Sequence, residues 1–140
     1  MLPQNLTVVA AAALINSAGD ILMQRRPPQS RHGGLWEFPG GKREAGETIR
    51  ECLARELREE LTITINPHAL IEAGWSLVED PAGELLLLLF TCRQWSGVPV
   101  PMTHAELKWY AIDQLIHLPM PPADIPLAAR LPTFLEGGGE

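Results

Sequence analysis

Gly40-Gly41-Lys42-Arg43-Glu44-Ala45-Gly46-Glu47-Thr48-Ile49-Arg50-Glu51-Cys52-Leu53-Ala54-Arg55-Glu56-Leu57-Arg58-Glu59-Glu60-Leu61-Thr62-Ile63 carries the densest structural signal in the chain. Thr48 and Glu51 form a T-x-x-E capping box, in which each side chain satisfies a backbone N–H left open at a helix start. From there Ile49, Cys52, Leu53, Leu57 and Leu61 recur at three- and four-residue steps. That period lays one apolar stripe along a helix. Glu56, Glu59 and Glu60 stand at i, i+3 and i+4 and share another face. Like charges so placed cost roughly 0.2–0.5 kcal/mol per pair. Arg55, Arg58 and solvent can absorb that cost, so the cluster alone fits either a solvated acidic face or a cation site.

The surrounding residues favour the cation. A hard divalent ion takes oxygen ligands, and Mg2+ prefers one or two carboxylates completed by water and substrate phosphate. Gly40 and Gly41, read as a turn ahead of the helix, bring bare backbone close to such an ion. Arg55 can orient a carboxylate through a bidentate contact. Arg25 and Arg26 end an upstream strand, within reach of phosphate oxygens. Acids for metal, a glycine turn and a strand-end arginine together suit phosphoryl transfer. No nucleophilic triad, P-loop or HExxH spacing occurs, and His32, His68 and His117 read as surface or loop residues.

Outward from this helix the pattern is mostly strand. Residues 6–15 read as a buried strand, 16–20 as a turn and 21–25 as a returning strand, which makes a hairpin. Residues 27–34 read as a loop and 35–38 as a short strand. Two further strands, 70–78 and 85–92, flank a turn at 80–83, with 85–89 read as buried on both faces. A short strand at 107–112 and a Pro-rich stretch precede a last helix over 127–135. Trp75, Trp95 and Trp109 read as core residues. Strands around a mid-chain helix predict an α/β (α+β) sandwich.

The 140 residues suit one domain, taken as 1–136, with 137–140 expected to fray. Eleven Lys and Arg against 17 Asp and Glu leave a net charge of −6. General nucleic-acid binding needs a basic excess, so that class is set aside. A small anionic ligand stays compatible where metal ions screen the acids. No run reaches the roughly 18 apolar residues of a membrane span. The N-terminal apolar run lacks the basic flank of a signal peptide. Cys52 and Cys92 form no CxxC pair and read as reduced core thiols of a cytoplasmic protein. Monomer and homodimer both stay open.

Gly41, Glu47, Arg55-Glu56-Leu57, Glu59-Glu60 and Ile63 resemble the Nudix box, G-x5-E-x7-R-E-U-x-E-E-x-G-U, where U is aliphatic. Eight of the nine specified positions match. At a usage of about one in fifteen each, the six of fixed identity would coincide on the order of once in ten million windows. Chance is therefore a poor explanation. Thr62 replaces the family's glycine, a left-handed C-cap, where threonine costs about 1 kcal/mol or shifts the turn. Gln24-Arg25-Arg26, Leu35-Trp36-Glu37-Phe38-Pro39-Gly40-Gly41-Lys42, Trp109 and residues 122–127 extend the resemblance to the MutT-like subgroup, bacterial CTP pyrophosphohydrolases above all. The resemblance implies an α/β/α sandwich with a mixed sheet. It also implies Mg2+-dependent cleavage of a nucleoside triphosphate to monophosphate and pyrophosphate, by attack at the β-phosphorus, with Mn2+ able to replace Mg2+.

On that footing Glu56, Glu59, Glu60 and the Gly40 carbonyl are expected to hold metal, with Glu56 favoured over Glu59 as general base. Glu47 and Arg55 are expected to hold the cluster's geometry, and Arg26 to bind a phosphate. Asp124 takes the position that reads the nucleobase. An ionised aspartate only accepts hydrogen bonds, which suits the amine of cytosine and the extra ring N–H of 8-oxoguanine; protonation adds a donor. The alternative for Asp124 is an N-cap of the last helix. Phe38, with Trp36 beside it, is a candidate wall for the base, the alternative being that both are core residues. Related enzymes carry a late-loop glutamate where Thr103 stands; Glu106 as a substitute or His104 as a base are candidates, the alternative being a polar loop without catalytic duty. CTP or dCTP hydrolysis leads, 8-oxo-dGTP hydrolysis is second, and a non-catalytic nucleotide-binding module is third.

Overall fold

A computed structural model of the chain describes residues 5–102 and 106–137. Its layering follows from alternation along two strands, β1 (Leu6–Leu14) and β2 (Ile21–Arg25). Ala10, Ala12, Leu14 and Leu22 point into one core, while Ala11, Ala13, Ile21 and Met23 point into another. A period of two with both faces apolar places β1 between two helix layers. Helix α1 (Ile49–Leu61) fills the first core with Cys52, Leu53, Leu57 and Leu61. Helix α2 (Asp124–Glu136) fills the second with Leu127, Ala128 and Leu131.

The remaining strands are β3 (Trp36–Glu37), β4 (Gly40–Lys42), β5 (Ile71–Asp80), β6 (Gly83–Cys92) and β7 (Glu106–Tyr110). One sheet runs β4-β1-β6-β5, with β1 parallel to β6 from Leu6↔Glu84 to Leu14↔Cys92 and its other pairs antiparallel. An antiparallel sheet runs β3-β2-β7. The expected α/β/α sandwich with a mixed sheet is the architecture found. Cys52 and Cys92 are buried free thiols in the α1-side core. Among the described residues no helix is long and apolar enough to cross a membrane.

Several local expectations are corrected. The hairpin between β1 and β2 exists only as a bridge at Ile15↔Ile21, after which the strands enter different sheets. Strands β4 and β6 flank β1 on both sides, so no ladder edge remains for β2. Gly40-Gly41 is a strand rather than a turn, paired as Ala11↔Gly40 and Ala10↔Gly41. Trp75 is 60% exposed on the edge strand β5, whereas Trp95 and Trp109 stack against the α1-side core. Strand β6 is not buried throughout residues 85–89, since Leu85, Leu86 and Leu88 are half-buried. Of the tail expected to fray, Gly137 closes α2 by donating to the Thr133 carbonyl, and residues 138–140 lie outside the described residues.

Both ends of α1 are capped. Thr48 Oγ1 accepts from Glu51 N at 3.1 Å, and Glu51 Oε1 accepts from Thr48 N at 2.9 Å. At the other end Thr62 adopts φ 60°, ψ 30°, and its N–H donates to the Arg58 carbonyl at 3.1 Å. The later chain donates Val100 N to the Leu61 carbonyl and Met102 N to the Glu60 carbonyl, both at 3.1 Å. Threonine thus keeps the left-handed turn that glycine would make without steric cost. Thr62→Gly should raise unfolding stability by about 1 kcal/mol, read as a higher denaturant midpoint at unchanged slope. A lower midpoint would mean that the threonine's own contacts outweigh its backbone strain.

Candidate active site

Helix α1 lays Glu56 directly on β4. A Cβ at Gly41 would run into the Glu56 carboxyl group, so any other residue would displace that carboxyl from where it lies. Gly40 answers a different constraint, because a Cβ there would strike the Ala10 carbonyl oxygen and Ala11 Cα on β1. Cys52 Sγ reaches the Gly41 carbonyl at 3.6 Å from the same helix. Its thiol is pushed up to about 12 by burial first and Glu47 next, so it is inert as a nucleophile at neutral pH. Burial also raises the Glu56 carboxyl, with Arg55 opposing and the charges of Glu60 and Glu59 adding to the shift.

One guanidinium holds the acids. Arg55 Nε and Nη2 donate to Glu47 Oε1 and Oε2, both at 2.9 Å, in a two-pronged contact. Arg55 Nη1 donates to Glu56 Oε2 and to Glu59 Oε1, both at 3.1 Å, and Nη2 also reaches the Lys42 carbonyl at 3.1 Å. Hydrogen bonding from Arg55, helped by the Glu44 backbone N–H, holds the Glu47 carboxyl down at about 2. Arg55 is correspondingly raised above the usual guanidinium value.

Glu56, Glu60, Gly40 and Gly41 open on a cleft of about 690 Å3, within the range of small-molecule sites. Residues 121–124 at the start of α2 also line it, and Asp124 is buried and accepts from Phe38 N at 3.1 Å. The N-cap role considered for Asp124 is not adopted, since Ala123 occupies that position and Asp124 is the first helical residue. Phe38 is buried and lines the cleft, while Trp36 packs into the α2-side core. Arg26 also lines it, donating from Nη1 to Glu37 Oε1 at 3.1 Å and from Nε to the Arg31 carbonyl at 2.7 Å. Arg31 from the 26–35 loop approaches Asp80 of β5 to 4.0 Å, and both line the cleft.

The structure therefore gathers Gly40, Glu56, Glu60, Arg26, Phe38 and Asp124 around one cavity. Glu59 is more than half exposed and lies on the Arg55 flank, and Glu47 stands behind Arg55. Glu106 pairs with Arg25 at 3.3 Å on exposed surface, and Thr103 and His104 lie outside the described residues. Glu37, Arg31 and Asp80 went unremarked in the sequence. Glu37 stood in the quoted Trp36-Glu37-Phe38-Pro39 run, and its placement one residue before Phe38 was the available signal. Nothing local marked Arg31 or Asp80.

The NUDIX domain family profile matches residues 5–131. The chain belongs to the Nudix family. This Nudix hydrolase is 36% identical over 121 residues to the CTP pyrophosphohydrolase of Escherichia coli K12, covering 86% of this chain and 87% of the relative. It is 31% identical to the 8-oxo-dGTP diphosphatase of the same organism, covering 88% of this chain and 94% of that one. Among solved structures, that of the E. coli ORF135 protein superposes with a TM-score of 0.85 at 32% identity, covering 96% of this chain and 94% of the other.

Nudix hydrolases work on small nucleotides with divalent metal ions. Among the described residues, no three His, Cys, Asp or Glu side chains are already gathered as ligands. Arg55 holds Glu59 to one side, which leaves Glu56 and Glu60 beside the Gly40 backbone facing the cleft. Those donors fit a hydrated hard cation whose shell is completed by phosphate oxygens, rather than an all-protein cage.

Asp124 makes the enzyme's stability pH-dependent. Burial first, then the charge of Glu37, pushes its carboxyl up to about 7 against the Phe38 N–H and Arg26. An unfolded aspartate titrates near 3.9, so the folded state binds the proton more tightly between those values. The contribution is full below about pH 4 and lost as pH rises through about 7. Denaturant unfolding of the wild type should weaken between pH 5 and pH 8, and Asp124→Asn should remove that component. An identical fall in the variant would assign it to other groups.

Proposed function

We propose that this enzyme is a nucleoside triphosphate pyrophosphohydrolase that releases a nucleoside monophosphate and pyrophosphate, with CTP, dCTP or modified dCTP preferred. The observation that carries this reading is the shared cleft, which joins the helix carboxylates Glu56 and Glu60 to the buried Asp124. One end suits the phosphate chain and the other the base. Both named relatives act on nucleoside triphosphates by their names, one of them on CTP.

Glu56, Glu59, Glu60 and the Gly40 carbonyl would hold the Mg2+ or Mn2+. Such an ion neutralises phosphate charge and acidifies a water. Arg26 binds a phosphate, and Glu47 and Arg55 keep the carboxylates in place. Glu56, which lines the cleft, accepts the proton of the attacking water. Attack at the β-phosphorus then leaves the nucleoside monophosphate and pyrophosphate. Phe38 walls the base, and ionised Asp124 accepts from the exocyclic amine of cytosine.

The raised carboxyl of Asp124 supports the second reading, hydrolysis of 8-oxo-dGTP. Near pH 7 a share of the enzyme carries the proton there and presents a donor beside an acceptor. A non-catalytic binding module is disfavoured, because every carboxylate of the box is present. The net charge of −6 disfavours nucleic acid as a partner. The buried free thiols suit a cytoplasmic enzyme.

Pyrophosphate release with Mg2+ should be followed across CTP, dCTP, 5-methyl-dCTP, dGTP and 8-oxo-dGTP. Glu56→Gln should lower kcat by about 100-fold or more. Asp124→Asn should change the cytosine-to-guanine preference by about tenfold, the worth of one hydrogen bond. No turnover of any triphosphate by the folded wild type would refute the proposal.

A further inference from the structure

Gln24 is fully buried on β2, and among the described residues its side-chain oxygen Oε1 has no hydrogen-bond partner. A buried unsatisfied acceptor destabilises a fold by about 1–3 kcal/mol. Its surroundings do not call for an amide. Leu22 lies two residues back on the same face of β2, Leu107 stands opposite in the β2–β7 register, and both belong to the α1-side core. A methionine or leucine would suit such a position better. The amide must therefore serve something other than packing.

The other end of the amide shows what it serves. Gln24 pairs with Glu37 across the β2–β3 ladder, and Nε2 donates to Glu37 Oε2 at 3.2 Å. The amide cannot be reversed, since that would set Oε1 against a carboxylate oxygen. Glu37 in turn accepts from Arg26 Nη1 at 3.1 Å on Oε1 and 3.2 Å on Oε2. The Arg31 carbonyl takes Arg26 Nε at 2.7 Å, so the guanidinium is held from two directions. Glu37 and Arg26 both line the cleft, and Gln24 lies behind them.

We propose that Gln24 is a positioning residue, whose buried amide fixes Glu37 and thereby aims the Arg26 guanidinium at the phosphate chain. This rests on the reading of Arg26 as a phosphate ligand. A carboxylate with two accepting oxygens and rotatable bonds has several orientations. One N–H on Oε2 selects the orientation in which both oxygens face Arg26. Gln24 touches no substrate and acts only through Glu37 and Arg26, so its loss weakens binding without altering the chemical step.

The test is a double-mutant cycle on CTP hydrolysis with Gln24→Met, Arg26→Ala and the double variant, each also melted thermally. Gln24→Met should raise KM about three- to tenfold with kcat within twofold, and leave the thermal midpoint unchanged or higher. Arg26→Ala should raise KM at least tenfold, and adding Gln24→Met to it should raise KM no further. Glu37→Gln, tested alongside, should raise KM alone and likewise have no further effect on Arg26→Ala. A lower melting midpoint of Gln24→Met with unchanged KM would make the residue merely structural and overturn the proposal. KM effects of Gln24→Met and Arg26→Ala that multiply would overturn it while leaving Arg26 a phosphate ligand. An unchanged KM in Arg26→Ala would overturn both.

Discussion

The site depends on one cation placed among four acids. Arg55 reaches Glu47, Glu56 and Glu59 by hydrogen bond and Glu44 by a longer ion pair, and its side chain is only 19% exposed. Without it, the carboxylates on α1 would repel one another and turn to solvent. Its contact with the Lys42 carbonyl and with Glu47 also ties β4 and the loop after it to the helix. Glycine at position 41 completes the arrangement by leaving room for the Glu56 carboxyl. A charge network and a missing side chain thus position the same functional group.

The site's polar groups are costly to the fold in a consistent way. Glu56 and Asp124 hold their protons more tightly than exposed carboxyls, and Gln24 keeps an oxygen unpaired among the described residues. Each would be replaced to advantage by an apolar residue if stability alone were selected. The compensation lies in the two cores, where alternate residues of β1 and β2 meet opposite helices. Burial on both faces of β1 allows the cleft above it to carry several groups in unfavourable surroundings.

Helix α1 was legible because its signals are local. A capping box, a stripe at three- and four-residue steps and the box acids all fall within one helix and its lead-in. The mixed sheet and the base-reading place expected of Asp124 rest on the family resemblance, not on periodicity. Features set by distant partners were misread or missed. Gly40-Gly41 looks like a turn, yet pairing with β1 makes it a strand. Residues 6–25 look like a hairpin, yet β1 has neighbours on both sides and sends β2 to another sheet. Trp75 looks like core by its type, but it stands on an edge strand where no element covers it fully. Glu37 and Gln24 become meaningful only when β2 and β3 are set in register.

Arg55 keeps the α1 carboxylates in the geometry that the proposed cation site requires. Mn2+ binding to the wild type and to Arg55→Met, titrated by electron paramagnetic resonance, tests it by sign. Simple electrostatics says that removing a positive charge should tighten cation binding. If the guanidinium's role is geometric, Arg55→Met will bind Mn2+ about tenfold or more weakly, in line with loss of an outer-shell partner. Equal or tighter binding by a folded Arg55→Met protein would contradict the account.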